Sequence, residues 1–499
     1  MTTTTEPGLE DAAAIFDRKT VPPAWGPRLA GAGRLSHVEA SAGWQATTVQ
    51  ACGLFPFVAG SGSPAMGVPI GRHMDWGEVV CLDPFQWLQA GLVNNPGIWV
   101  QAEPGVGKSS LIKRLIRGMA GFGITTFVLG DTKPDYPKVV ERLGGQVIRI
   151  GRGLDRINPL DAGPLGTALP HLSSTDRARL AEEIRGRRLT SLLALVALVR
   201  RGSTIRNVEE VLLGTALDVF TDAHPPSVDP TVPDILTLLR EGPELLRWAA
   251  AADTDQEWRA ESRELVHTLA LLCQGPFRGV FDGPTTTPID LASPAVSVDI
   301  SRVAAAGDTL VAAAMLATWS YGFGMVDAAH TLAEAGLAPP RRFFAVLDEL
   351  WRALRGSPGL VEHADALTRL NRAKGMAHAM ITHSVTDLEA LPTEEDRAKA
   401  RGFIDRCAIK ILGGLPAKEL TALSESVKLS QAERAKVAGW CAPPTWDPGA
   451  IHPGRGKYLI KTGERVGIPV ELTYMSDEAD LYNTDGRITR HQPDRQVTS

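Results

Sequence analysis

Apolar and polar residues alternate along the chain in two regimes. From about residue 75 to 160, short β-branched or apolar runs at 78–82, 98–101, 125–129 and 146–150 read as strands. Between them lie segments of helical spacing. Residues 108–118 set Leu111, Ile112, Leu115 and Ile116 on one helix face, and 136–143 reads as a second, shorter helix. Strands alternating with helices predict a parallel sheet with helices packed on its faces. From about residue 170 to 272 the strand signals stop, and helices are predicted over 175–186, 190–201, 207–220, 235–251 and 257–272. Pro225, Pro226, Pro230 and Pro233 mark loops among them. Strands resume at 296–300, 343–347 and 377–382 and, beyond the prolines of 443–453, at 458–461 and 468–474.

The expected fold is therefore α/β with a largely parallel sheet and an all-helical insertion at about 170–285. Residues 1–80, rich in Gly, Pro, Ser and Ala, predict an irregular or short-stranded segment; 81–442 form the core; 443–499 are a linker and short strands that complete it. The apolar stretch 310–326 is broken by Thr318, Ser320, Gly322 and Gly324, and Asp308 lies just before it. It reads as a buried core helix rather than a membrane span.

Composition narrows the class. Hydrophobic residues make up 44% and charged residues 22% of 499 positions, which excludes a mainly disordered, collagenous or polytopic membrane chain. Lys+Arg number 52 against 57 Asp+Glu, a net charge of −5, so any contact with DNA needs a local basic patch. Arg185, Arg187, Arg188, Arg200 and Arg201 are the candidates, although an exposed helix face explains them equally well. The five cysteines match neither a zinc spacing nor a dense disulfide framework, and the first residues lack a basic and apolar leader pattern, so a reducing, cytoplasmic setting is expected.

The chemistry concentrates in four places. Ala102-Glu103-Pro104-Gly105-Val106-Gly107-Lys108-Ser109 has the spacing of a phosphate-binding loop, with Ala in place of the first Gly, between a predicted strand and an amphipathic helix; Ser110 follows in the helix's first turn. Gly105 and Gly107 suit a backbone that turns its N–H groups toward an anion. Lys108 would reach the β- and γ-phosphates of ATP, and the Ser109 hydroxyl would bind Mg²⁺. The run 343–347 ends in Asp348 and Glu349, suited to hold the metal and to polarise the attacking water. The run 377–382 ends in His383, either a γ-phosphate sensor or a strand-end imidazole bonded to a loop carbonyl. A predicted helix over 364–374 carries Arg369 and Arg372 on one face. One of them would serve a neighbouring subunit as an arginine finger, or both form a solvated basic face.

At these residues the chain resembles the traffic ATPases of conjugation and type IV secretion, in the HerA/FtsK superfamily of P-loop motors. Beyond the phosphate loop, Asp131-Thr132-Lys133-Pro134-Asp135-Tyr136 is similar to that family's Asp-x-Lys-Gly-Glu-Tyr segment, and Leu143-Gly144-Gly145 and Ile157-Asn158-Pro159-Leu160-Asp161 to its GG and NPLD stretches. Phe281-Asp282-Gly283-Pro284-Thr285 and Val298-Asp299-Ile300-Ser301 resemble the region after its helical insertion. Asp348-Glu349-Leu350-Trp351 resembles its DEAW box, and Ile381-Thr382-His383-Ser384 stands where the family has Ala-Thr-Gln-Ser. The resemblance runs from about residue 70 to 485. It implies a RecA-like P-loop core and a homo-hexamer driven by Mg·ATP, cytoplasmic or peripheral at the inner face of the cell membrane through inner-membrane partners of a transfer machine. The residues ahead of the match are too few for the family's N-terminal docking domain, so the motor half alone is expected. Three functions are left: a motor for conjugative DNA transfer or secretion, a translocase or coupling protein that pumps DNA itself, and a nucleotide-dependent scaffold. Coupling proteins generally carry N-terminal membrane helices, and the intact Asp348–Glu349 pair counts against the scaffold.

Overall fold

The computed structural model describes residues 62–169, 172–200, 204–304, 307–354, 361, 375–389, 391, 393–441 and 452–482, all within one compact unit, Gly60–Ser499. Among them run eleven strands: β1 (Val68–His73), β2 (Val79–Leu82), β3 (Gly97–Gln101), β4 (Ile124–Asp131), β5 (Gln146–Arg149), β6 (Ala295–Asp299), β7 (Arg342–Leu347), β8 (Met376–Thr382), β9 (Ile409–Leu412), β10 (Lys457–Thr462) and β11 (Ile468–Leu472). They form one sheet of order β2-β1-β11-β10-β9-β3-β8-β7-β4-β6-β5. From β9 to β5 every pairing is parallel, and from β2 to β9 every pairing is antiparallel.

Both faces of the parallel part are covered, which is why its strands read as continuous apolar runs. Successive side chains go to opposite faces. Trp99, Phe127, Leu129, Phe343, Ala345, Leu347 and Met380 join the core shared with the helical insertion. Ile98, Val100, Val128, Phe344, Val346, Ala379 and Ile381 join the core under the helix Lys108–Gly121. The insertion contributes the helices Ser174–Val199, Asn207–Ala223, Val232–Glu241, Glu244–Ala249 and Asp255–Gln274.

Several expectations change in three dimensions. The helices expected at 175–186 and 190–201 are one, Ser174–Val199, because Gly186 weakens a helix without stopping it and no proline intervenes. The helix expected at 235–251 is two. Gly242 ends the first in a left-handed conformation (φ +64°), and Pro243 starts the next. Strands β1 and β9 had no local signal: β1 contains Pro69 and Gly71, both poor strand residues, and β9 is four residues long. The hairpin β1–β2 spans residue 80, so both its strands belong to the sheet on either side of that position. The expected helix 364–374, with Arg369 and Arg372, lies outside the described residues.

The apolar stretch 310–326 belongs to the helix Asp308–Glu334, long and apolar enough to cross a membrane, yet 89% of its most apolar window is buried inside the protein. Trp319 Nε1 donates to the Leu129 carbonyl of β4 at 3.0 Å. One turn on, a Cβ at Gly322 would lie 2.5 Å from Leu129 Cδ2, so the missing side chain sets how closely the helix approaches the sheet. Leu129 is itself buried and has nowhere to retreat. Gly322→Ala is expected to destabilise the protein by about 1–2 kcal/mol although alanine favours helix, because overpacking outweighs the propensity gain. A urea unfolding curve with a midpoint equal to or above that of the unaltered protein would refute this packing account.

Candidate active site

Four neighbouring parallel strands, β3, β8, β7 and β4, end on the same edge of the sheet, and each is followed by one of the chemically marked segments. The register makes this direct. Gln101 pairs with Thr382, Leu347 with Met380 and Val128 with Val346, so residues 102–109, 383, 348–349 and 131–136 emerge side by side. This is where ligands bind in open α/β sheets.

The loop after β3 takes the expected backbone. Gly105 has φ +81° and Gly107 φ +105°, and Gly107 caps the helix Lys108–Gly121, whose positive dipole end faces the loop. Pro104 and Gly105 are exposed at its crown, Ala102 and Val106 are buried, and Ser110 is half-buried. The far end of the chain buttresses it. Gly456 N donates to Val106 O (2.9 Å), Tyr458 Oη to Gly107 O (2.7 Å), and Glu103 N to Gly414 O (3.0 Å), while Cys441 Sγ donates to Glu103 Oε2 (2.9 Å).

Lys108 is buried, and its ammonium donates to Ala102 O (2.6 Å), Glu103 O (3.0 Å) and His383 Nδ1 (2.7 Å). With Nδ1 accepting, the imidazole proton belongs on Nε2, which lies 2.8 Å from Glu349 Oε1. Lys108, His383 and Glu349 thus form one hydrogen-bonded chain. Burial lowers the Lys108 pKa to about 8, against the upward pull of Asp348 and Glu349.

Glu349 adopts φ +52°, a conformation rare outside glycine. Its Oε1 also accepts from Lys133 Nζ at 3.0 Å and its Oε2 from Trp351 Nε1 at 2.6 Å, bonds that hold the strained turn. Burial alone would raise its pKa, but the bonds from His383 and Lys133 prevail and bring it down to about 2. Asp348 goes the other way: burial and the neighbouring Glu349 push it up to about 6, while Tyr136 Oη donates to its Oδ2 at 2.7 Å. One carboxylate is firmly ionised and its neighbour titrates close to neutrality.

The turn after β4 is organised by Asp131, whose carboxylate accepts from Lys133 N (3.2 Å) and Tyr136 N (3.1 Å). It delivers Lys133 to Glu349, Tyr136 to Asp348, and Asp135 to the Ser109 hydroxyl, which donates to Asp135 Oδ2 at 3.2 Å. The turn after His383 is fixed by Glu419, which accepts from Gln101 Nε2, Ser384 Oγ, Val385 N and Thr386 Oγ1. Lys133 and Tyr136 belonged to a segment noted for its resemblance without assigned roles. Glu419 and Tyr458 carried no sequence signal, since each acts on a segment far away in the chain.

The described arginines considered for DNA contact do not form a free patch. Arg185 is bonded to Asp218. Arg188 pairs with Asp229 and the Leu160 carbonyl, and Arg200 with Glu209 and Thr268. Arg187 is largely enclosed, and burial lowers its pKa beside Asp327 and Glu183. The bonds of Arg185, Arg188 and Arg200 tie the insertion together; Arg201 lies outside the described residues.

A parallel sheet with a glycine-bent loop between β3 and a helix, faced by Asp348 and Glu349, defines a RecA-like P-loop α/β fold. Among solved structures the chain is similar to VirB4 of Thermoanaerobacter pseudethanolicus, with a TM-score of 0.63 and 20% identity over 84% of this chain and 99% of that one. This likeness establishes the fold. Lesser similarity extends to the plasmid coupling protein TrwB in complex with ADP and Mg²⁺ (TM-score 0.47, 13% identity, 76% of this chain and 86% of that one). The cytoplasmic domain of the type VII secretion ATPase EccC of Thermomonospora curvata matches at TM-score 0.31 and 15% identity, over 82% of this chain and 28% of that one. No protein family and no curated protein matches the sequence.

The buried lysine generates a pH dependence. The unfolded chain holds the Lys108 proton up to about pH 10.5, whereas the folded, ligand-free chain releases it near 8. Between those values the unfolded state binds more protons, so this group makes stability rise with pH, by about 3 kcal/mol over the window. Lys108→Met is expected to remove that rise. The check is the difference in urea midpoints between the variant and the unaltered chain at pH 7 and pH 10; a difference that does not change with pH would contradict it.

Proposed function

We propose that this chain is a Mg·ATP-hydrolysing motor ATPase that energises conjugative DNA transfer or type IV secretion. The observation that carries the reading is the Lys108–His383–Glu349 chain at the mouth of the glycine-bent loop. A lysine, an imidazole and an ionised carboxylate there can respectively hold a terminal phosphate, register its presence and orient a water.

The loop residues Ala102 to Ser110 cradle the phosphates, with Lys108 toward the terminal ones. The two glycines serve differently: open space lies beside Gly105, whereas a Cβ at Gly107 would crowd Tyr458 Oη at 3.0 Å, the hydroxyl that braces the loop. For Mg²⁺, Ser109 and Asp348 supply the oxygen donors a hard cation takes, and the donor chemistry fits. Once bound, the ion would neutralise charge on the phosphates. His383 senses the terminal phosphate, because a phosphate oxygen taking Lys108 frees Nδ1. Glu349, ionised across the physiological range, orients the attacking water. Arg369 or Arg372 reaches the site of a neighbouring subunit in a homo-hexamer, which inner-membrane components of the transfer machine hold at the membrane's inner face.

Direct pumping of DNA is the competing reading. Three of its candidate contact residues, Arg185, Arg188 and Arg200, are paired with Asp218, Asp229 and Glu209 within the insertion, so secretion or transfer energised through partners is preferred.

Lys108→Ala is expected to abolish nucleotide binding. Glu349→Gln is expected to bind Mg·ATP normally while turnover falls by about 10²–10⁴-fold. Steady-state phosphate release measures this, and activity surviving in Glu349→Gln would sink the assignment. Mixing Arg372→Ala or Arg369→Ala subunits with Lys108→Ala subunits is expected to restore part of the hydrolysis, since each supplies what the other lacks. No rescue with either arginine would leave both as a solvated basic face.

A further inference from the structure

Lys133 has no part in the mechanism above, yet its ammonium sits inside the site. Nζ lies 3.0 Å from Glu349 Oε1, the same oxygen that His383 Nε2 reaches at 2.8 Å, and His383 in turn touches Lys108. The two lysines are therefore separated by one imidazole and one carboxylate. Their surroundings differ. Lys108 is enclosed at the loop floor, whereas the Lys133 side chain is 65% exposed although its partner Glu349 is only 8% exposed. Its backbone does not share that freedom, because Asp131 holds the Lys133 N–H and the Tyr136 N–H of the same turn. A fixed turn thus carries a long, solvated arm whose charged end rests on the mouth of the site.

Glu349 keeps other partners when this arm leaves it. His383 and Trp351 hold its two oxygens, and its own N–H bonds to Asp348 Oδ1 at 2.9 Å. A terminal phosphate arriving at Lys108 and His383 brings a second concentrated negative charge beside the Glu349 carboxylate. Two anions in a partly dry site repel strongly unless a cation lies between them. Lys133 is placed to be that cation. Lysine suits the task as a point charge on a flexible stem that can exchange a carboxylate oxygen for a phosphate oxygen.

We propose that Lys133 is a further substrate-contacting residue, which shifts from Glu349 Oε1 to the terminal phosphate of a bound nucleoside triphosphate and makes the site favour tri- over diphosphate. The inference rests on the Mg·ATP reading above. A diphosphate leaves the position beside Glu349 empty, so Lys133 stays on the carboxylate and adds nothing to diphosphate binding.

Titration calorimetry on the full chain with Mg·ADP and with Mg²⁺ plus a non-hydrolysable ATP analogue separates the possibilities. Lys133→Ala is expected to weaken the analogue about tenfold to a hundredfold, the worth of one charge-assisted hydrogen bond, and to leave Mg·ADP unchanged. Lys133→Arg is expected to recover most of the loss. The exposed position predicts unaltered thermal unfolding in both variants. Equal weakening of both nucleotides would overturn the proposal in favour of a structural role for the turn. Unchanged analogue binding with faster turnover would also overturn it, leaving Lys133 as a restraint on Glu349. If the unaltered chain binds neither nucleotide, the Mg·ATP reading falls and takes the proposal with it, a result distinct from either of these.

Discussion

A lysine ammonium removed from water needs acceptors on every side, and the rest of the site is arranged around that need at Lys108. Two backbone carbonyls of its own loop supply part of it, and His383 supplies the rest from a different strand. Because the imidazole must accept at Nδ1, its other nitrogen is committed to donate, and Glu349 is the acceptor it finds. One buried charge thereby fixes a tautomer and links the ends of β3, β8 and β7. Burial still dominates, since the lysine's pKa falls to about 8 despite two nearby carboxylates. A triphosphate would give the same ammonium a stronger partner, so the ligand-free arrangement is poised to rearrange on binding.

Burial raises the pKa of both carboxylates, and it prevails at Asp348, whereas at Glu349 the neighbours overcome it. Glu349 is drawn down to about 2 by His383 and Lys133, while Asp348 is pushed to about 6 beside it. Adjacent residues on a strand end face different surroundings, so one pair of acids divides into an ionised group and one near its titration point. The left-handed backbone at Glu349 is part of this division, because it turns that side chain toward His383 and Trp351. Support from behind is just as specific. Tyr458 and Gly456 from the C-terminal strands hold the phosphate loop, and Glu419 gathers four donors from Gln101 and the turn after His383.

Much of this was legible in the residues. The Gly105-x-Gly107-Lys108-Ser109 spacing carries its own backbone requirement, and the apolar runs ending in Asp348–Glu349 and His383 announce strands with polar tips. What misled was local grammar without its context. Gly186 looked like a helix end until the helix around it was embedded by Leu192, Leu195 and Val196. Pro69 and Gly71 concealed a strand that exists because β2 and β11 pair with it on either side. The arginines of the insertion looked like a basic patch because their partners, Asp218, Asp229 and Glu209, lie on other segments.

The sequence by itself determined the loop, the strand tips and the alternation that calls for a parallel sheet, because these depend on residue type and short spacing: a glycine's freedom to take positive φ, a period of two, a lysine next to a serine. The tertiary structure decided which tips are neighbours. Only the order β3-β8-β7-β4 brings Lys108, His383, Glu349 and Lys133 within hydrogen-bonding distance, and only that proximity sets their protonation and strain. Strand order follows from how helices of particular lengths cross a sheet and bury both of its faces. That is a property of the whole packed chain, and no local window contains it.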